Sequence, residues 1–241
     1  MQRRPAVMQN VTKGALTIAG INLLVSLVYL LSDDHTRNTI AEYVVATPST
    51  VFEQGHVWTV VTAIFFEPQF IQLVMNVLIL FLFVPTLERF WGTPRFFRFF
   101  AITALAGMAG GLLAGYATGR DVPIFGLAPF VLAATVAFGV IYARTPVQFF
   151  GVLPLTGRQL MYGFLAVYAL MTVLGQHWEL FAAFAAACLA AVILTSKRWS
   201  PGLAWKRWRI ARARRRLSVL EGGVPKAVAK KPKPRDERYL N

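Results

Sequence analysis

Six stretches of nearly unbroken apolar residues run along the chain, at 14–31, 70–87, 99–116, 124–142, 160–175 and 180–196. Each approaches the roughly 20 residues that an α-helix needs to cross a hydrocarbon layer of about 30 Å. The pattern therefore predicts six membrane-spanning helices with polar connections. The longest connection, 32–56, is polar and contains Pro48 and Gly55, and Trp58 stands just after it as an interfacial anchor. The connection 144–158 holds Pro146 and Pro154, which forbid a continuous helix, so a short extended or re-entrant piece is expected there. The first span lacks a small-residue cleavage site followed by a soluble domain, and is expected to be a retained helix.

Polar residues inside the apolar runs stand out. Gln72 and Asn76 lie four apart within 70–85, so they share one helix face, and Glu67 lies just before them. Amides are costly in hydrocarbon unless they find partners, so that face is expected to meet a neighbouring helix rather than lipid. Two roles stay open: hydrogen bonds across the bundle, to carbonyls near Gly126 and Pro129, or contact with the backbone of a bound helix. Glu67 is expected as a water-exposed carboxylate at the head of the second span, with a gate or ligand as the alternative. The first span carries Asn22 and Ser26 in the same way.

The composition supports a membrane protein: 241 residues, 56% hydrophobic, mean hydropathy +0.52. This is too apolar for an ordinary soluble domain and too short for a large transporter. Cys188 is the one cysteine, which rules out an intramolecular disulfide or a cysteine metal cluster and suits a small packing residue. His35, His56 and His177 show no metal-ligand spacing and are expected at exposed or interfacial positions. Nucleotide-binding, zinc and Gly-x-Ser-x-Gly motifs are missing, and no cofactor is expected.

Charge sets an orientation. Arg3, Arg4, Lys13, Arg89, Arg95, Arg98, Arg144 and Arg158 fall on one side of the six spans. Arg37 and Arg120 fall on the other, among Asp33, Asp34, Glu42, Glu53, Glu67, Asp121 and Glu179. The excess of cationic residues on cytoplasmic loops then places both termini in the cytoplasm. Residues 197–241 hold 15 Lys or Arg against three acids, a balance of +12 within the chain's +14. In 197–221, Trp205 and Trp208 interleave with Arg207, Arg212 and Arg215, which reads as a basic helix lying on anionic lipid. Each such cation contributes about 1 kcal/mol near an anionic leaflet. Nucleic acid is not an expected partner, because no recognition motif accompanies the charge. Residues 222–241, rich in Lys and Pro, are expected to be disordered. The domains are thus 1–13 (cytoplasmic), 14–196 (membrane), 197–221 (interfacial) and 222–241 (tail).

Several motifs together resemble one family. They are Trp58-Thr59-x-x-Thr62-x-x-Phe65, Glu67-x4-Gln72-x3-Asn76, Leu87-Glu88-x-x-Trp91-Gly92 and the aromatic run at 96–100. The chain resembles the rhomboids, intramembrane serine proteases, over residues 50–195. The resemblance implies an all-α membrane protein, a six-transmembrane-helix bundle, here with a basic cytoplasmic tail. It also implies that Gln72 and Asn76 match the positions that bind the oxyanion, the first of which, like that of Glu67, is usually histidine in active members. The nucleophile's Gly-x-Ser-Gly is matched by Gly126-Leu127-Ala128-Pro129, so Ala128 holds the nucleophile position. The histidine's motif is best matched by Ala183-Phe184-x-x-Ala187-x-x-x-Ala191, which places Phe184 at the general base.

Independently of that alignment, there is no serine between Thr50 and Thr195 and no histidine between Val57 and Gln176. An alcohol nucleophile needs an adjacent base, so the dyad is missing from that stretch. Inactive rhomboids, the derlins among them, bind transmembrane clients, and the implied function is recognition without cleavage, with Glu67, Gln72, Asn76 and Gly126 as client-binding candidates. The alternative is a rhomboid protease with a non-standard nucleophile such as Thr135. A bacterial inner membrane is the expected location. Gly107, Gly111 and Gly115 on the third span, and Ala182, Ala186, Ala190 with Ala183, Ala187, Ala191 on the last, predict close helix packing. In rhomboids that face of the last helix lies against the nucleophile-bearing helix.

Overall fold

The computed structural model describes residues 11–149, 153–196 and 212. The chain divides into two units, Met1–Lys197 and Arg198–Asn241, and the bundle belongs to the first. The tail residues Trp205, Arg207, Trp208 and Arg215 lie outside the described residues, as do residues 1–10 of the N-terminus.

The described residues form eight α-helices, six of them in the apolar runs: α1 (Lys13–Leu31), α2 (Asp34–Val44), α3 (Thr59–Thr62), α4 (Phe70–Trp91), α5 (Thr93–Thr118), α6 (Ala128–Ile141), α7 (Gly157–Leu174) and α8 (Trp178–Thr195). Five of them, α1, α4, α5, α7 and α8, are long and apolar enough to cross a membrane. α2 is an addition to the polar connection expected at 32–56. The proline-bearing connection forms an antiparallel hairpin, β1 (Pro146–Phe149) against β2 (Leu153–Thr156), with Pro146 opposite Thr156. That end of the bundle, where α1 begins and α4 ends, is the hairpin end. The other carries 32–69 and 119–127 and is the loop end.

The fourth apolar run does not form a helix of spanning length. α6 begins only at Ala128 and has 14 residues, about 21 Å. The reason lies in residues 120–127, which descend alongside α5 in irregular form. A Cβ on Gly115 would lie 3.0 Å from the Arg120 carbonyl, one on Gly111 3.1 Å from the Ile124 side chain, and one on Gly107 2.7 Å from that of Pro129. Eight residues of α5, about 12 Å, are thereby matched by non-helical chain before α6 takes over. Backbone of that kind at membrane depth is tolerated only where protein encloses it. It is enclosed here: Ile124 donates its N–H to the Ala46 carbonyl and Gly126 to that of Ala63, and every residue from Pro129 to Gly139 is buried.

α8 packs chiefly along α5, with α6 its second neighbour. The contact with the fourth span that the resemblance implies is present, and the packing on α5 is the more extensive of the two. A Cβ on Gly110 would stand 2.5 Å from Cβ of Ala186 and 2.9 Å from the Ala182 carbonyl oxygen, and one on Gly111 3.2 Å from Cβ of Ala183. The approach is so close because neither helix presents more than a methyl group, which in lipid is the main source of helix association.

At the hairpin end, Glu88 near the end of α4 caps the start of α1. Its two oxygens accept from the Gly14 N–H at 3.1 and 2.9 Å, and Oε1 accepts from the Thr93 hydroxyl at 2.8 Å. The first N–H groups of a helix have no partner within it, and this carboxylate, 4% exposed, supplies one from another helix. Gly14 allows the approach, since a Cβ there would lie 2.6 Å from Oε2. Glu88→Ala is expected to cost about 2–3 kcal/mol by leaving buried donors unmet. Thermal unfolding in detergent would show this as a midpoint lowered by several degrees; a midpoint equal to wild type would contradict the capping role.

Candidate functional site

At the loop end, the segment between α3 and α4 threads into the bundle and is held from α1. Asn22 Nδ2 donates to the Phe65 carbonyl at 3.0 Å, Ser26 Oγ donates to the same oxygen at 3.4 Å, and the Glu67 N–H donates to Ser26 Oγ at 3.0 Å. Four residues apart, Asn22 and Ser26 occupy one face of α1, and both are fully buried. Phe66 then packs edge-on against Tyr29 and Phe125, with centroid distances of 4.8 and 5.9 Å. These contacts turn the next residue, Glu67, inward.

Glu67 is only 4% exposed, which overturns the expectation of a water-exposed carboxylate. Its Oε2 accepts from Asn76 Nδ2 at 2.8 Å. On the opposite side stands Gly126, at φ +90, where a Cβ would come within 2.7 Å of Oε2. Gly126 is thus required twice, for its backbone conformation and for the approach of the carboxylate. Loss of water raises the cost of the charged form and pushes the Glu67 carboxyl up to about 7, against the opposing pull of the Asn76 hydrogen bond. Among the described residues no Lys, Arg or His pairs with it; the ion pairs there are Arg37 with Asp34 and Arg120 with Glu179.

Asn76 is completely buried, and its Oδ1 has no hydrogen-bond partner; the same is true of Asn22 Oδ1. The expected bonds from Gln72 and Asn76 to carbonyls near Gly126 and Pro129 do not form; the Asn76 amide donates to Glu67 instead. Gln72 is half-buried and outside this network.

Ala128 opens α6, two residues after Gly126, and is half-buried. Gly107 places it relative to α8: a Cβ there would lie 2.7 Å from Pro129 Cβ and 3.4 Å from the Ala183 carbonyl, so the start of α6 and residues 183–187 stand at one level. Phe184 at that level packs edge-on against Tyr168 of α7, 5.0 Å between centroids. Glu67, Asn76, Gly126, Ala128 and Phe184 therefore gather around the start of α6, joined by Tyr168. No sequence feature marked Tyr168, one of three aromatics in an apolar span with Tyr162 and Phe164. Asn22 and Ser26 did carry a signal, the same four-residue spacing as Gln72 and Asn76.

The hydroxyls at hand are occupied. Ser26 Oγ sits between the Phe65 carbonyl and the Glu67 N–H, and Thr135 Oγ1, fully buried, donates to the Val131 carbonyl at 2.9 Å. His56 stacks on Trp58 at 4.5 Å, while His35 and His177 are exposed. Among the described residues no three acidic, histidine or cysteine side chains group as metal ligands. A cavity of about 390 Å³ opens beside Tyr29, Phe66 and Phe125, rimmed by Glu42, Thr47 and Thr50; Glu67 is not part of its lining.

The family described as eukaryotic integral membrane protein (DUF1751) matches residues 16–194, from the first turn of α1 to the last of α8. The chain belongs to this family. DUF1751 is a rhomboid-like family, and its match covers the whole bundle and stops before the basic tail. Its description names eukaryotes, at odds with the bacterial inner membrane expected from the sequence; an integral membrane protein is what stands. A comparison with curated proteins gave no match.

Proposed function

We propose that this DUF1751 protein is a rhomboid pseudoprotease that binds transmembrane segments of client membrane proteins without cleaving them. One observation carries the reading: Glu67, Asn76 and Gly126 gather at the start of α6, beside Ala128 and, at the same level, Phe184, the positions that the resemblance assigns to the dyad. A carboxylate and an amide facing inward can pair with polar groups of a helix, whereas neither can attack a carbonyl as an activated alcohol would.

In this reading a client helix enters between α4 and α7. Both pack on α6, and they approach each other through Phe83 and Phe164, 5.8 Å apart, well toward the hairpin end. Toward the loop end Ile71 and Met75 on α4 and Met171 and Leu174 on α7 are exposed. A client helix entering there passes Gln72 before it reaches Asn76 and Glu67. In this reading both termini are cytoplasmic, the hairpin end faces the cytoplasm, and Trp205, Arg207, Trp208, Arg212 and Arg215 hold the tail on anionic lipid.

A photo-crosslinker at position 72 in native membranes is expected to trap membrane-embedded proteins; labelling of lipid alone would count against client binding. The rival reading, a protease using Thr135, places its hydroxyl about 10 Å further along α6 than Ala128. Purified protein incubated with a standard rhomboid substrate, next to an active rhomboid, is expected to leave it intact. Cleavage that survives Thr135→Val would defeat both readings, and cleavage abolished by it would establish the rival.

A further inference from the structure

We infer that the transmembrane segment bound at this site carries a basic side chain, lysine or arginine, which pairs with Glu67. The inference rests on the client-binding reading and names the chemistry of the client. Its first ground is an imbalance of charge. Glu67 is 4% exposed, yet among the described residues it has no cationic partner, and Asn76 gives it a single hydrogen bond, on Oε2. Its other oxygen, Oε1, takes none. Buried carboxylates are ordinarily paired, because an isolated ionised one is among the most costly groups to bury.

The second ground is an excess of acceptors. Asn76 is wholly buried and Oδ1 has no donor, and Asn22 Oδ1 on the neighbouring α1 is in the same state. These two buried amide oxygens lack N–H donors. An ammonium offers three donors and a guanidinium five, with no acceptor in either. The groups around Glu67 offer no competing cation: Asn22 and Ser26 from α1, Asn76 from α4, Gly126 from the irregular segment, and Tyr168 from α7, the one ionisable side chain among them.

The third ground is reciprocity. A lysine or arginine within a spanning helix is expensive in lipid and seeks an acid at its own depth. In the client-binding reading a helix arrives laterally at the exposed apolar residues of α4 and α7 toward the loop end, and so reaches Glu67 without carrying that charge through the bundle. Burial, which pushes the Glu67 carboxyl up to about 7, means that an arriving cation displaces a proton rather than meeting a settled ion pair.

The test uses the full-length protein with a photo-reactive residue at position 72, in phosphatidylcholine bilayers. It is offered single-span peptides that differ at one position, one to two turns from the loop-end interface, which is Leu, Gln, Glu, Lys or Arg. Lys and Arg peptides are expected to be captured about tenfold more than the Leu peptide at pH 8, as one good ion pair would give. The preference shrinks at pH 5.5, where Glu67 holds a proton. Glu67→Gln is expected to bring the ratio of Lys to Leu capture below about twofold, and Glu67→Asp to retain it.

Equal capture of all five peptides overturns this inference and leaves client binding standing. Capture of the Gln peptide as strongly as Lys overturns it as well, because hydrogen bonding without charge would then suffice. A Lys preference that persists in Glu67→Gln also overturns it. Failure to capture any peptide overturns both the inference and the client-binding reading.

Discussion

Gly110→Val is expected to abolish the folded bundle. The first carbon added at Gly110 would already stand 2.5 Å from Cβ of Ala186 and 2.9 Å from the Ala182 carbonyl oxygen. Real side chains do not approach so closely, and the second contact is with backbone, which cannot rotate aside. α5 and α8 would have to separate over the length they share, and their separation exposes the irregular segment 120–127 that they help to enclose. Overpacking inside a core costs about 1–3 kcal/mol where neighbours can yield. Here the neighbours are two helix backbones, and the loss is expected to exceed that range. The measurement is the fraction of protein running as a single species in detergent gel filtration, with thermal unfolding of what remains. Gly163→Val, at a position where an added Cβ meets nothing within 4 Å, is the control. Equal behaviour of the two variants would show that the α5–α8 contact is softer than its geometry requires.

Glu67→Gln is expected to stabilise the protein, and only above mildly acid pH. The carboxyl of Glu67 has an ordinary value of 4.5 and is raised to about 7 in the folded protein. Below 4.5 it is protonated in both folded and unfolded chains, and burial carries no charge penalty. Between 4.5 and 7 the unfolded chain releases the proton while the folded one keeps it, so stability falls as pH rises. Above 7 the folded protein holds an unpaired carboxylate at a full penalty of about 3 kcal/mol. Glutamine keeps the oxygen that accepts from Asn76 and removes the charge. Unfolding followed at pH 5 and pH 8 should therefore find the variant close to wild type at the first and clearly more stable at the second. Asp121 acts in the opposite sense and in stronger acid, because the Ser49 hydroxyl and N–H, at 2.6 and 2.9 Å, hold its carboxyl below the usual range. It is common to both proteins and cancels in the comparison. The same pH slope in both would show that Glu67 is hydrated or already paired.

The features legible in the sequence were those set by local pattern. Hydropathy located the long helices, because a spanning helix must be apolar along its whole length. Polar residues four apart, Asn22 with Ser26 and Gln72 with Asn76, marked faces of α1 and α4, and spaced glycines marked α5 as a close-packing helix. Enclosure was not legible. The run 124–142 reads as one helix, but its first residues are apolar without being helical, and an apolar run buried as irregular chain looks the same as one buried as helix. Glu67 failed for a related reason: a charged residue next to Pro68 at a span boundary is ordinarily wet, and only the folding-over of Phe65 and Phe66, held by Asn22 and Ser26, turns it inward. The choice of α5 over α6 as the main partner of α8 depends on crossing geometry that small-residue spacing does not encode.

The short, enclosed α6 bears on how this polypeptide is made. Residues 119–127 emerge from the ribosome before α7 and α8 exist, with amide and carbonyl groups that acyl chains cannot satisfy. Until α8 docks along α5, that stretch has a half-built wall, so the nascent intermediate ending after α6 is the species most in need of the insertion machinery. Assembly thus closes from its C-terminal helix inward, and a ribosome that stops short of α8 leaves a product fit for degradation rather than a smaller working bundle.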